Sequence, residues 1–130
     1  MYKIEKTAAG FTLTFGGIIN KAEHERWVDE SERALAGCTK PFGVIVDLRT
    51  LKPLSPDAQA VLIQGQGLYK RAGMERSVVI LNSPLMTMQA KRLSKGSGID
   101  AFERYIDASN DKNWQKHAVA WIKFGIDPDK

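Results

Sequence analysis

Gly43-Val44-Ile45-Val46-Asp47-Leu48, followed after a short loop by Ser55-Pro56-Asp57, decides the fold. The first run is rich in β-branched residues and does not alternate apolar with polar, as a strand buried on both faces of a sheet requires. It belongs at mid-sheet. Ser55 then supplies an N-cap and Pro56 a first helical position, where proline's missing N–H costs nothing. Ala58, Val61, Leu62, Gly65, Leu68, Tyr69 and Ala72 recur behind it at helical spacing as an inward stripe. A helix start at the mouth of a sheet exposes unpaired N–H groups and a positive dipole end, where α/β proteins commonly hold an anion, a phosphate or a partner.

Working outward, Ser77-Val78-Val79-Ile80-Leu81 repeats the buried-strand pattern, and Ser83-Pro84 repeats the cap-plus-proline start for a third helix carrying Leu85, Met86, Gln89, Ala90 and Leu93. Met86 and Met88 point to different faces, so one of them is expected to be exposed. Upstream, Tyr2 and Ile4 alternate with polar neighbours, Phe11-Thr12-Leu13-Thr14-Phe15 alternates strictly, and Thr7-Ala8-Ala9-Gly10 joins the two as a hairpin. Asn20 caps a first helix with Ala22, Trp27, Val28, Ser31, Ala34 and Leu35 inward, ended by Gly37. Downstream, residues 102–107 read as an edge strand, and Trp114, His117, Ala118, Trp121 and Ile122 as the apolar face of a last helix. The order is β-β-α-β-α-β-α-β-α with short connections, which implies right-handed crossovers and an α/β fold with a mostly parallel mixed sheet covered by helices. Residues 1–125 read as a single domain and 126–130 as a frayed tail.

With 130 residues the chain can bury one core, and its 43% hydrophobic and 26% charged content exclude disorder or a fibrous repeat. No apolar run approaches the roughly 20 residues of a membrane span, and Met1-Tyr2-Lys3-Ile4-Glu5-Lys6 lacks the apolar core of a signal peptide. No membrane insertion is expected, and the expected location is cytoplasmic. Cys38 stands alone and the histidines are His24 and His117, so neither a disulfide nor a Cys/His zinc pattern can form, and no metal or cofactor is expected. A net charge of +4 spread among acids, without a basic stripe interleaved with aromatics, argues against nucleic acid.

Gly17-Ile18-Ile19-Asn20 at the turn into the first helix, Val46-Asp47-Leu48-Arg49 at the end of the third strand, Leu93, Gly98-Ile99-Asp100, Phe102, Tyr105-Ile106-Asp107 and Ala118-Val119-Ala120-Trp121 together resemble the STAS family of anti-sigma-factor antagonist-like domains, in its divergent SpoIIAA-like branch. The resemblance implies a regulatory domain whose partner is an anti-sigma-type kinase or another signalling protein. Antagonists of that family switched by phosphorylation carry a run resembling Asp-Ser-Ser-Gly-Leu at the second helix start. This chain has Ser55-Pro56-Asp57-Ala58-Gln59, with Asp57 in the acceptor's place. A position that would gain about two charges on phosphorylation thus already carries one.

The expected function is a non-enzymatic regulatory or scaffold domain that binds a protein partner through Asp47, Arg49, Leu54, Ser55, Pro56, Asp57, Ser83 and Met86, without the phosphoserine switch. No catalytic residue is assigned. Ser55 is the residue available for phosphorylation, although its place before Pro56 is accounted for by capping, worth about 1 kcal/mol. Asp57 is equally at home in a first turn, where the helix dipole favours it by about 0.3–1 kcal/mol. The alternative is a small-molecule or lipid-binding module with an apolar pocket between helices around Gly65, Leu68, Met86 and Leu93. Glycine inside a helix costs about 1 kcal/mol relative to alanine. Close packing on the sheet is the ordinary account of Gly65, while Gly67 has either account. His117 reads as a core-edge residue with no carboxylate to orient it. A homodimer through an unpaired edge strand is a further expectation, set against protection of the last strand by Glu103 and Arg104.

Overall fold

A computed structural model describes residues 1–39, 41–97 and 99–130, the side chains of Gln59, Leu93, Ser94 and Ser97 excepted. The elements run β1 (Tyr2–Thr7), β2 (Gly10–Gly17), α1 (Lys21–Leu35), β3 (Phe42–Leu51), α2 (Pro56–Ala72), β4 (Met74–Leu81), α3 (Pro84–Ser97), β5 (Glu103–Asp107) and α4 (Trp114–Phe124), with a 3-10 turn at Ile99–Ala101 before β5. Gly98, one of the residues carrying the family resemblance, lies outside the described residues. The strands form a five-stranded sheet in chain order, β1-β2-β3-β4-β5, with β1 antiparallel to β2 and the other neighbours parallel. The expected order and mixed, mostly parallel sheet are therefore observed, with β3 in the middle.

That order dictates where the helices go. A crossover between neighbouring parallel strands is right-handed in nearly all proteins, and the steps β2 to β3, β3 to β4 and β4 to β5 all move the same way across the sheet. They deliver α1, α2 and α3 to one face. On that face Phe11, Leu13, Phe15, Val44 and Met74 pack with Trp27, Val61 and Tyr69, and Val79, Leu81 and Tyr105 pack with Ala90; Val46 and Leu48 touch both groups. The opposite face is left to α4, whose Ala118, Trp121 and Ile122 cover Val78, Ile80 and Ile106 and reach Ile45. Lys3, Glu5, Thr12 and Thr14, on β1 and β2, are on that same side and remain exposed or half-exposed.

Local details correct several expectations. On α1 the inward face includes His24, which is fully buried against Phe15 and Trp27, while Ala22 is exposed. On α4 the buried positions are Ala118, Trp121 and Ile122; His117 turns outward, and Asp111 orients it through a 2.5 Å contact between Nδ1 and Oδ2. Met86 and Met88 are both exposed. Gly65 packs on α1 and not on the sheet: a Cβ there would come within 2.0 Å of the Trp27 ring. Trp27 cannot give way, since it stacks on Tyr69 at 6.0 Å between ring centres and meets Phe15 edge-on at 5.1 Å. Glu103 does not protect the β5 edge, because it is buried and accepts a hydrogen bond from the Tyr105 hydroxyl at 2.9 Å. The segment after α4, expected as a tail, carries two ion pairs to the rest of the chain. Asp127 pairs with Arg104 at 3.1 Å and Asp129 with Lys91 at 3.0 Å, and these attractions fasten it to the body of the protein.

Candidate functional site

β3 decides which sequence-expected residues can meet. Its even-numbered Val44, Val46 and Leu48 point toward α1 and α2. Side chains alternate along a strand, so Ile45, Asp47 and Arg49 point to the α4 side. There Arg49 donates from Nε and Nη2 to the two carboxylate oxygens of Asp47, at 3.0 and 2.9 Å, and its guanidinium lies 4.4 Å from the centre of the Trp114 ring at the start of α4. Ser55, Pro56 and Asp57 open α2 on the other face. Asp47 and Ser55, near in sequence, are thus separated by the thickness of the sheet. The Asp47–Arg49 pair is a planar two-bond bridge braced on an indole, and it fixes the end of β3 to α4. Trp114 was accounted for in the sequence as core, and no local pattern announces that it also seats Arg49.

On the α2 side the end of the sheet carries two helix starts of the same construction. Ser55 Oγ accepts from the Ala58 N–H at 3.2 Å, and Ser83 Oγ accepts from the Met86 N–H at 3.3 Å. Thr87 adds a hydrogen bond from its hydroxyl to the Ser83 carbonyl at 2.8 Å. Because β3 and β4 are adjacent and parallel, the two starts emerge at the same end of the sheet and on the same face. Pro53, Ser55, Pro56 and Asp57 are exposed and Leu54 is half-buried. Beside them Leu85 is 63%, Met86 43% and Met88 56% exposed, a run of apolar side chains that makes no contribution to the core.

The residues expected to line a ligand pocket do not converge. Gly65 faces the Trp27 ring, Leu68 is half-buried against the main core and Met86 faces solvent; the Leu93 side chain lies outside the described residues. A cavity of about 210 Å³ opens elsewhere, between the outer side of α2 at Gln66, Gly67 and Lys70 and the entry to β5 at Ile99, Phe102 and Glu103. Around Gly67 a Cβ would meet only the mobile end of Arg71, at 3.0 Å, so the glycine leaves a wall of the cavity bare without being needed for packing.

Burial pushes the Glu103 carboxyl up, against the smaller downward pull of its hydrogen bond from Tyr105 and of the nearby Ser77 hydroxyl. The unfolded chain releases this proton first as pH rises, so stability should fall as pH climbs from about 4.5 toward the folded value, by up to about 1.4 kcal/mol per pH unit, and then level off. Glu103→Gln should flatten that limb in urea unfolding measured from pH 4.5 to 8, whereas an unchanged slope would show that Glu103 titrates normally.

Among the described residues no group of three or more His, Cys, Asp or Glu is placed to hold a metal, and no helix is long and apolar enough to cross a membrane. Among solved structures the chain is similar to that of an uncharacterized protein of the DUF3478 family from Shewanella loihica PV-4, described as having a SpoIIAA-like fold. The two superpose with a TM-score of 0.65 over 94% of this chain and 92% of that one, at 21% sequence identity. No family model matches the chain, and no curated protein matches it. The fold is SpoIIAA-like, as the resemblance implied.

Proposed function

We propose that the chain is a non-enzymatic regulatory or scaffold domain that docks a protein partner, an anti-sigma-type or other signalling protein, at the sheet end where α2 and α3 begin. The observation that carries this reading is the exposed Leu85-Met86 pair with Met88, beside two serine-capped helix starts. Methionine is unbranched and polarizable, and adapts to a partner's surface at low cost. The surface adds a fixed charge, Asp57, in the first turn of α2. In this reading Asp57 supplies permanently the anion that phosphorylation supplies elsewhere, and Ser55 serves as the cap. Asp47 and Arg49 contribute from the other face, by holding the β3 end that leads into the Leu54 loop. A homodimer, if formed through an edge, would use β1, since the segment after α4 crosses the β5 edge.

A photo-crosslinking residue placed at position 86 should give one defined adduct in extracts of the native cell, and the same residue at position 115 on α4 should not. Asp57→Ala should reduce the adduct at least several-fold with no change in melting temperature. Equal labelling from both positions, or none from position 86, would remove the reading.

A ligand-binding reading has one observation in its favour, the 210 Å³ cavity beside Gly67. It lies below the roughly 300 Å³ at which drug-sized ligand sites begin, which suits a small molecule and not an acyl chain.

A further inference from the structure

The edge of β5 carries a second charged site, remote from the helix starts. Arg104 is held before it meets any carboxylate: its guanidinium lies 4.3 Å from the centre of the Trp121 ring and donates to the carbonyl oxygens of Asp100 and Glu103. Its remaining side receives Asp127, in a pair of which each side chain is about one-fifth exposed (19% and 20%). That bond holds the Asp127 carboxyl below the usual carboxylate range. Lys91 receives Asp129 at 3.0 Å.

Because α3 and α4 lie on opposite faces of the sheet, a bond from Lys91 on α3 to the segment that follows α4 spans the sheet edge. Between these groups is a cleft of about 450 Å³, with Lys95 as a third cation on its wall. Asp127 and Asp129 line the cleft from a turn, in which the Asp129 N–H donates to Asp127 Oδ1 at 2.9 Å and the Lys130 N–H to the Asp127 carbonyl at 3.3 Å, so that carboxylates two residues apart meet two cations.

We propose that this cleft is a recognition site for an acidic turn of a partner protein, with carboxylates two residues apart, and that residues 127–129 engage its cations as an internal competitor. The segment itself shows the fit, since a turn with this charge spacing satisfies Arg104 and Lys91 together. The outer pair, Lys91–Asp129, is 42% and 43% exposed and so is readily exchanged and screened, while Arg104–Asp127 is the tighter anchor. Burial keeps Glu103, also on the wall, toward its neutral form and so reduces its repulsion of an incoming acid. This site is independent of the docking surface at α2 and α3.

The test uses the full chain carrying Asp127→Asn and Asp129→Asn, with a fluorescent peptide Gly-Ile-Asp-Pro-Asp-Lys, the chain's own residues 125–130. A short tether places a segment at an effective concentration in the millimolar range, so neutralising it should tighten peptide binding by about tenfold or more over the wild-type chain. Adding Arg104→Gln should abolish that binding, an Asn-Pro-Asn version of the peptide should not bind, and about 0.5 M salt should release the peptide. Equal binding to the neutralised and wild-type chains, or equal binding of the Asn-Pro-Asn peptide, overturns the proposal. Should the neutralised chain melt early, NMR on the wild-type chain decides: millimolar peptide must shift the Trp121 indole and the amides of Asp127 and Asp129, and unmoved signals overturn it.

Discussion

Gly65→Ala is expected to lower stability by about 2 kcal/mol, although alanine is the better helix former. Overpacking a closed core costs about 1–3 kcal/mol, and here the new methyl would sit 2.0 Å from a ring atom of Trp27, which is 1% exposed and wedged between Tyr69 and Phe15. The upper end of that range applies, and the helix gain of about 1 kcal/mol offsets part of it. Gly67→Ala, half a turn further on, should instead raise stability by about 0.5–1 kcal/mol, since it meets only a flexible guanidinium. Urea unfolding of the two variants, with slopes unchanged from wild type, should show the opposite signs. If Gly65→Ala unfolds at the wild-type midpoint, the tight α1–α2 contact does not exist.

A second large effect should appear on acidification. His24 is fully buried, and neither ring nitrogen has a hydrogen-bond partner among the described residues. Burial lowers its pKa, the neighbouring N-terminal ammonium adds to this, and Glu23 opposes it. The folded protein therefore resists a proton that the unfolded chain accepts from about pH 6.5 downward. Stability should fall as pH drops below that point, by about 1.4 kcal/mol per pH unit until the folded value is reached, or about 2 kcal/mol between pH 6.5 and 5 if the folded value lies lower still. His24→Leu should remove the dependence and raise stability at pH 7 by about 1 kcal/mol, because two unsatisfied polar atoms leave the core. A steep acid limb that survives in His24→Leu would assign the effect elsewhere.

The order of elements was readable because its signals are local: a β-branched run, a serine and a proline at a helix start, an apolar residue every third or fourth position. What could not be read depends on which side of the sheet a residue faces. A strand buried on both faces lacks the alternation that would have marked Asp47 and Ser55 as belonging to opposite faces. Glycine 65 announced a close contact, yet its partner Trp27 is on another helix, and no spacing rule connects them. The ion pairs from Arg104 to Asp127 and from Lys91 to Asp129 join residues with no sequence relation, and are created by α4 turning back beneath the sheet. His24 was hidden by its own polarity, since an apolar stripe is sought among apolar residues.

The sheet is laid down in the order of synthesis, each strand pairing with the one before it. No strand must wait for a later one to be inserted between neighbours, as happens in sheets whose central strand comes last. Each helix-strand unit from α1 onward can therefore dock on an edge already complete, while the aromatic cluster of Phe15, Trp27 and Tyr69 closes when α2 arrives. Growth has a single direction, and the strand added last, β5, is the edge that the segment after α4 then crosses. An assembling chain exposes one open edge at that side at a time, and the final few residues of the crossing segment end its capacity to recruit another strand there.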